Sequence, residues 1–437
     1  MSTRIASPAR RARGGGIRTD ELAALVDAAS PRARIARPVE VRGVTGDSRR
    51  VELGSVFAAI RETKADGHDF VDDAIARGAV AAVVEKDVEI EDSGIPLIRV
   101  DDSRAALAKL AAAFHGHPAR HLTLVGITGT VGKTTILTML ESIQRRAGGR
   151  VGTIGSLGVR IDGRTVKETR HTSPDPVELH EGLSRIAEAG CGLAAMEVTS
   201  HALVQRRVHG LEFDLGVFTN LIPLEHADFH KTFRNYVEAK RGFLDYLRPC
   251  TPLVYNADDR TVRRIVHHPN VEPVPCGLAR TAVVRIEECE ADMTGTRLTL
   301  NVRRPIPGVD GVEVQPRKVP LRLRLLGRAN VSNAALAATA ALCLGAAPED
   351  IAASLRRFPP PRRRMEILHR GSFTVMDDTV AHPDSVSALF ETVEQLRPRR
   401  VLVAFAVRGC RGVRINKQVA RALAIWAGRV PIARLIV

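Results

Sequence analysis

From Leu122 to Leu137 the apolar positions change their period. Leu122, Leu124, Val125 and Ile127 first alternate and then run together, which predicts a buried strand. Gly126, Gly129 and Gly132 break the run, and Lys133-Thr134-Thr135 then opens an apolar stretch of helical spacing. The same reading along the chain predicts strands at Val39–Val44, Ser55–Ile60, Val80–Val84, Pro96–Val100, Val151–Ile154, Gly192–Val198, Leu215–Asn220, Leu253–Tyr255, Phe373–Met376, Val401–Ala406 and Ile432–Val437. Helices are predicted at Val71–Arg77, Ser103–Phe114 with Ser103 as its cap, Val177–Ala189, Phe233–Tyr246, Gly327–Leu344, Ser385–Leu396 and Lys417–Ala427. Strands that alternate with helices make this an α/β chain.

Three units are expected after a basic arm. Residues 1–16 are Arg-rich, free of acids and end in glycines, which predicts a disordered arm. Residues 17–117 form a small α/β unit. Residues 118–357 form a central unit with a mostly parallel sheet flanked by helices and a β-rich stretch at 280–327. Residues 358–437 form a last, Rossmann-like α/β unit, set off by the proline run Pro359-Pro360-Pro361. Gly409–Asn416 is read as a basic loop. The chain stops on a strand, and the last unit reads as incomplete.

Composition narrows the class. Of 437 residues, 44% are hydrophobic and 26% charged, the balance of a globular chain with ample core. Net charge is +15, which raises the question of nucleic acid. The arginines are spread along the whole length and aromatics are only 4%, so a basic face with stacking rings is not indicated, and anionic small substrates fit better. The six cysteines show no C-x-x-C spacing, which argues against structural zinc or a disulfide framework and fits a reducing cytoplasm. No apolar run reaches membrane-spanning length; Ala334–Ala347 reads as a packed helix.

The candidate chemistry gathers at the ends of the predicted strands. Strand, glycine turn, Lys-Thr and helix start make a phosphate cradle. The glycines let backbone N–H groups approach an oxyanion, the helix start adds positive partial charge, Lys133 reaches the outer phosphates, and Thr134 offers a hydroxyl to Mg²⁺. Five residues separate Gly126 from Gly132, one more than the usual phosphate-loop spacing. Glu197 ends a strand downstream of that loop, the place where such sheets carry a Mg²⁺ partner. Glu225-His226-Ala227-Asp228-Phe229-His230 clusters acids and imidazoles. On composition alone Lys240 reads as a solvated surface lysine. Asp47-Ser48-Arg49 reads equally as an anion contact or a plain turn.

Taken together, Gly129–Thr135, Met196–Leu203, Thr219-Asn220-Leu221, the Lys240 helix, Asn256–Asp259 and Asn330–Ala334 resemble the Mur ligases. The branch they resemble most adds the third amino acid to a cell-wall precursor. The resemblance runs from about residue 40 to about residue 400. It implies an ATP-dependent amide ligase in peptidoglycan biosynthesis. ATP would phosphorylate a carboxylate of a UDP-muramoyl-peptide, and an amino acid would displace the phosphate. It implies ATP and Mg²⁺ as cofactors and a cytoplasmic monomer. By the same resemblance Gly129, Thr130, Gly132, Lys133, Thr134 and Thr135 hold the phosphates, and Asn256, Asn333, Arg364 and Asp378 serve the nucleotide. Ser48 and Arg49 meet the uridine diphosphate, and Thr172, Ser173, Ser200 and Arg206 the muramoyl-peptide. Thr134, Glu197, His226 and a carbamylated Lys240 hold metal, and Lys133, Lys240 and His226 are catalytic. The last unit is expected to close over the reacting groups.

Several positions depart from the family pattern. Val131 stands where Asn is usual, Ala381 where His is usual, Arg363 where Gly is usual, and Arg408–Asn416 lacks the usual acidic glycine-rich loop. Two other functions stay open on these grounds: a diverged paralogue joining amino acids in another pathway, and a nucleotide-binding protein without ligase chemistry.

Overall fold

The computed structural model describes residues 17–26, 38–62, 65–86, 94–223, 227–359, 363, 365–380, 383–407 and 412–437. Two compact units emerge: residues 1–137, 148–253 and 264–272 form the first, and residues 138–147, 254–263 and 273–437 the second. The chain is α/β throughout, in line with the sequence.

The first unit begins with a four-stranded parallel sheet, ordered as in the sequence: Gly43–Thr45, Ser55–Ala58, Ala81–Val84 and Leu97–Arg99. Its strands are apolar on both faces. Val56, Ala58, Ala81 and Val83 join one buried cluster with Leu107 and Leu110. Phe57, Ala59, Ala82 and Val84 join the opposite cluster with Val71 and Ala74. Such two-sided burial is why these strands read as continuous apolar runs rather than alternating ones. Helix Ser103–Phe114 is capped by Asp102, whose carboxylate accepts from Ala105 N–H at 2.9 Å. This corrects the expectation for Ser103, whose hydroxyl instead donates to Glu85 at 2.8 Å.

The larger sheet of this unit runs in the order Leu215–Phe218, Thr123–Thr128, Leu193–Glu197, Val151–Gly155, Gly158–Ile161, Arg164–Lys167. The first four strands are parallel and the last two antiparallel. The pair Gly158–Ile161 and Arg164–Lys167 has no strong apolar signature, and the sequence reading missed it. Helix Phe233–Arg241 stops five residues short of the expected Tyr246. Thr232 caps it through Asn235 N–H at 3.1 Å.

In the second unit, strands Val284–Asp292, Gly295–Val302 and Arg317–Leu323 form an antiparallel ladder, as the β-rich stretch predicted. Helix Arg328–Cys343 is buried almost all round, which explains its Ala-rich composition. Further along, helices Pro383–Gln395 and Gly412–Ala427 share a core of Val386, Phe390, Val419, Leu423 and Trp426. Strands Val401–Ala404 and Ile432–Ile436 pair in parallel. The expected loop Gly409–Asn416 is corrected in part: residues 412–416 already belong to the helix. Residues 408–411 lie outside the described residues.

Candidate active site

Strand Thr123–Thr128 delivers the phosphate loop to the helix that begins at Lys133. Gly129 has φ +131, and a Cβ there would collide with Thr219 Oγ1, so only glycine fits. The loop is braced from the end of the neighbouring strand. Thr130 N–H donates to Asn220 O at 2.8 Å, and Val131 N–H donates to Asn220 Oδ1 at 3.0 Å. Thr219 Oγ1 and Asn220 Nδ2 both donate to Val131 O, at 2.7 and 3.1 Å. Every one of these bonds to Val131 uses its backbone, so the side-chain departure at that position leaves the brace intact. Thr219 and Asn220 were noticed in the sequence only as a motif; their bracing role depends on two strands lying side by side.

Lys133 curls back over its own loop, donating to Gly129 O and Thr130 O at 2.9 Å each. Thr134 Oγ1 lies 2.9 and 3.0 Å from the two carboxylate oxygens of Glu197. Glu197 is 1% exposed and also accepts from Ser156 N–H at 2.9 Å. Gly155 makes room for it, since a Cβ at that residue would overlap the carboxylate. Ser156 Oγ lies 3.1 Å from Thr172 Oγ1, so Thr172 joins the edge of this cluster. Thr134, Glu197 and Thr172, chosen far apart in sequence, are thus brought together.

Lys240 corrects the composition-based reading outright: it is 1% exposed. Its ammonium nitrogen lies 3.1 Å from Thr128 Oγ1 and 3.2 Å from Val198 O. Burial drives its pKa well below the ordinary lysine value; the nearby Lys133 charge adds to this and Glu197 opposes it. Lowering that pKa brings the neutral form of the amine, which is the nucleophilic one, closer to reach.

The other sequence candidates fall in several places. Ser173 is buried; its hydroxyl donates to Glu197 O at 2.8 Å and accepts from Thr199 N–H at 3.0 Å. Ser200 is buried with its hydroxyl 2.9 Å from His230 Nε2. Arg206 adopts φ +55 and pairs with Asp102 at 3.2 Å. Arg49 is exposed and forks onto Asp47, with 2.9 Å contacts to each carboxylate oxygen. Ser48 opens the short 3₁₀ turn Ser48–Arg50 that Asp47 caps. In the second unit, Asn256 Oδ1 accepts from Asp258 N–H at 3.0 Å, Asn333 is buried within its helix, and Asp378 accepts from Thr379 N–H at 2.8 Å. His226 and Arg364 lie outside the described residues. No helix among the described residues is long and apolar enough to cross a membrane.

A phosphate loop facing a strand-end carboxylate, with a buried lysine behind it, defines a nucleotide-dependent enzyme of the α/β class. Comparisons with known proteins narrow this. Residues 127–341 match the Mur ligase middle domain and residues 40–115 the Mur ligase family catalytic domain. The UDP-N-acetylmuramoyl-L-alanyl-D-glutamate–2,6-diaminopimelate ligase of Parabacteroides distasonis is 36% identical over 359 residues, 82% of this chain and 70% of that protein. The enzyme of the same name from Geobacter metallireducens is 34% identical over 408 residues, 91% of this chain and 75% of that one. A solved structure of a ligase of this name superposes with a TM-score of 0.73 at 22% identity, covering 96% of this chain and 82% of that one, a likeness of fold. The chain belongs to the Mur ligase family.

Proposed function

We propose that this chain is an ATP-dependent ligase that adds an amino acid to a UDP-N-acetylmuramoyl-peptide in peptidoglycan synthesis. The observation that carries the reading is the Thr134–Glu197 contact under a braced phosphate loop, with Lys240 buried behind it. The curated relatives bear the name of the ligase that joins diaminopimelate to the alanyl-glutamate precursor, which makes UDP-N-acetylmuramoyl-L-alanyl-D-glutamate the first acceptor to test.

In this reading the acceptor carboxylate attacks the γ-phosphorus of ATP, giving an acyl phosphate and ADP. The amine of the incoming amino acid then attacks the acyl carbon, loses a proton and expels inorganic phosphate. Lys133 leaves its loop carbonyls for the β- and γ-phosphates, where its charge offsets what develops on the transferred group. The Thr134 hydroxyl and Glu197 carboxylate are hard oxygen donors, the type Mg²⁺ takes; Thr134 would hold one ion, and Glu197 with His226 a second. Bound there, Mg²⁺ would supply charge neutralisation at the phosphates. The neutral Lys240 amine is suited to add to CO₂: an N–C bond forms, one C–O π bond opens and a proton leaves. The product is an anion, which burial would penalise as it does the ammonium and which Mg²⁺ held beside it would offset. Asn256, Asn333, Arg364 and Asp378 are assigned to the nucleotide by resemblance. Ser48, Arg49, Thr172, Ser173, Ser200 and Arg206 are assigned to the acceptor in the same way.

The test is ADP release by the purified chain with ATP, Mg²⁺, the UDP-muramoyl-dipeptide and diaminopimelate. Release that needs both acceptor and amino acid is expected. ATP binding without any release would overturn the ligase reading in favour of a nucleotide binder. Release only with an unrelated acceptor would select the paralogue.

A further inference from the structure

Helix Phe233–Arg241 buries two polar side chains four residues apart on one face, Tyr236 and Lys240. The mechanism above uses Lys240 and leaves Tyr236 without a task. Tyr236 is 1% exposed, and its hydroxyl lies 2.8 Å from Thr130 Oγ1 in the phosphate loop. Thr130 Oγ1 also accepts from Ile222 N–H at 2.9 Å. Thr130 is therefore held by its backbone and by Ile222 from one strand end, and by a phenol from a helix.

The Tyr236 ring stands edge-on to His230, with centroids 5.3 Å apart. His230 is buried in turn, and its Nε2 lies 2.9 Å from Ser200 Oγ. A phenylalanine at 236 would fill the same volume without a hydroxyl to desolvate, so the polar atom is a cost unless its bond has a use.

We propose that Tyr236 and His230 are positioning residues: Tyr236 fixes the phosphate loop through Thr130, and His230 fixes Ser200 at the start of helix Ser200–Val204. One short stretch, residues 230–240, turns the buried side chains of His230, Tyr236 and Lys240 inward and so sets the loop, Ser200 and Lys240 relative to one another. This rests on the assignments of Thr130 to phosphate and Ser200 to the acceptor made above. Both side chains are buried, so each acts through the residue it bonds.

Calorimetric ATP binding and steady-state kinetics on the full chain test it. Tyr236→Phe should weaken ATP binding about five- to tenfold, the loss of one buried hydrogen bond, and raise the ATP KM alike while the acceptor KM stays within about twofold. His230→Phe should do the reverse, raising the acceptor KM about tenfold with ATP affinity unchanged, and His230→Gln, whose amide reaches the Nε2 position, should recover most of it. Thr130→Val, which also loses the Ile222 bond, should cost more than Tyr236→Phe, and combining the two should cost no more than Thr130→Val alone. Lower melting temperatures with unchanged ATP affinity and unchanged KM values would overturn the proposal, as would additive losses in the double variant. If His230→Phe does not fold, His230→Asn, whose amide stops short, takes its place with the same expected KM rise. Should the wild-type chain bind ATP but release no ADP, the ligase reading falls while the ATP-binding comparison still decides Tyr236.

Discussion

Two short polar turns leave the ends of parallel strands in the first unit, and they are built on opposite plans. The phosphate loop after Thr128 is held by groups far away in sequence: Thr219, Asn220, Ile222 and Tyr236. The turn after Thr45 is held by itself. Thr45 Oγ1 accepts from Asp47 N–H at 3.1 Å, and Asp47 accepts from both the backbone and the guanidinium of Arg49. A turn that satisfies its own polar groups can sit in water and adapt to a ligand. A loop braced from other strands is fixed before the ligand arrives, the condition for electrostatic stabilisation without reorganisation. The contrast is in keeping with the roles proposed for them, chemistry at the phosphate loop and recognition at the Asp47–Arg50 turn.

His180 offers the hardest test of the link between burial and bracing. It lies in helix Pro176–Glu188, is 1% exposed, and neither ring nitrogen has a hydrogen-bond partner among the described residues. Burial, helped by His115 and His117, lowers its pKa to about 3. The unfolded chain takes up a proton near pH 6.5 and the folded chain does not. The contribution of His180 is therefore complete above about pH 6.5 and is lost as pH falls towards 3, by about 5 kcal/mol in all. Urea unfolding across that range should show the decline, and His180→Leu should make it shallower, leaving the part due to carboxylates such as Asp66 and Glu181. An unchanged slope in that variant would mean that water reaches the ring.

Next in size is Lys240→Met. The side chain fills a similar space without a polar nitrogen to desolvate, so the fold should persist, while ADP release should fall about a thousandfold. Near-normal turnover would remove Lys240 from the mechanism. Glu197→Gln should lower turnover about a hundredfold and raise the Mg²⁺ needed for half-maximal rate, because the amide keeps the Thr134 contact but loses the charge. A variant with normal Mg²⁺ dependence would make Glu197 a brace alone.

The smallest effect is expected at the exposed turn. Arg49→Ala should leave stability almost unchanged, since an exposed ion pair contributes little. On the role proposed for Arg49 at the diphosphate, it should raise the acceptor KM about tenfold. The Arg49 pair holds the Asp47 carboxyl below its usual range, so Arg49→Ala should also return that carboxyl towards ordinary titration, visible by NMR. An unchanged KM would leave the Asp47–Arg50 turn as structure only.

Much of the fold was legible because its strands are short, apolar and separated by glycine turns. Helix ends were less so. Asp102 and Ser103 are equally good caps on paper, and the neighbouring Glu85 claims the serine. Helix Gly412–Ala427 begins in a basic glycine-containing stretch that local propensity reads as loop. At the site, Lys133, Thr134 and Glu197 could be read directly, because a phosphate loop depends on local backbone geometry and a strand-end carboxylate on sequence order.

Lys240 could not be read from its own neighbours. A lysine in a polar helix is ordinarily solvated, and only the helix face packed against Thr128 and Val198 takes its ammonium out of water. The sequence alone thus determined the α/β class, the phosphate loop and the family resemblance, since each depends on residues close together or in fixed order. The tertiary structure alone decided which polar groups are buried, what braces the loop, and that burial pushes the Lys240 pKa down. Desolvation and hydrogen bonding between distant segments exist only once the strands lie side by side.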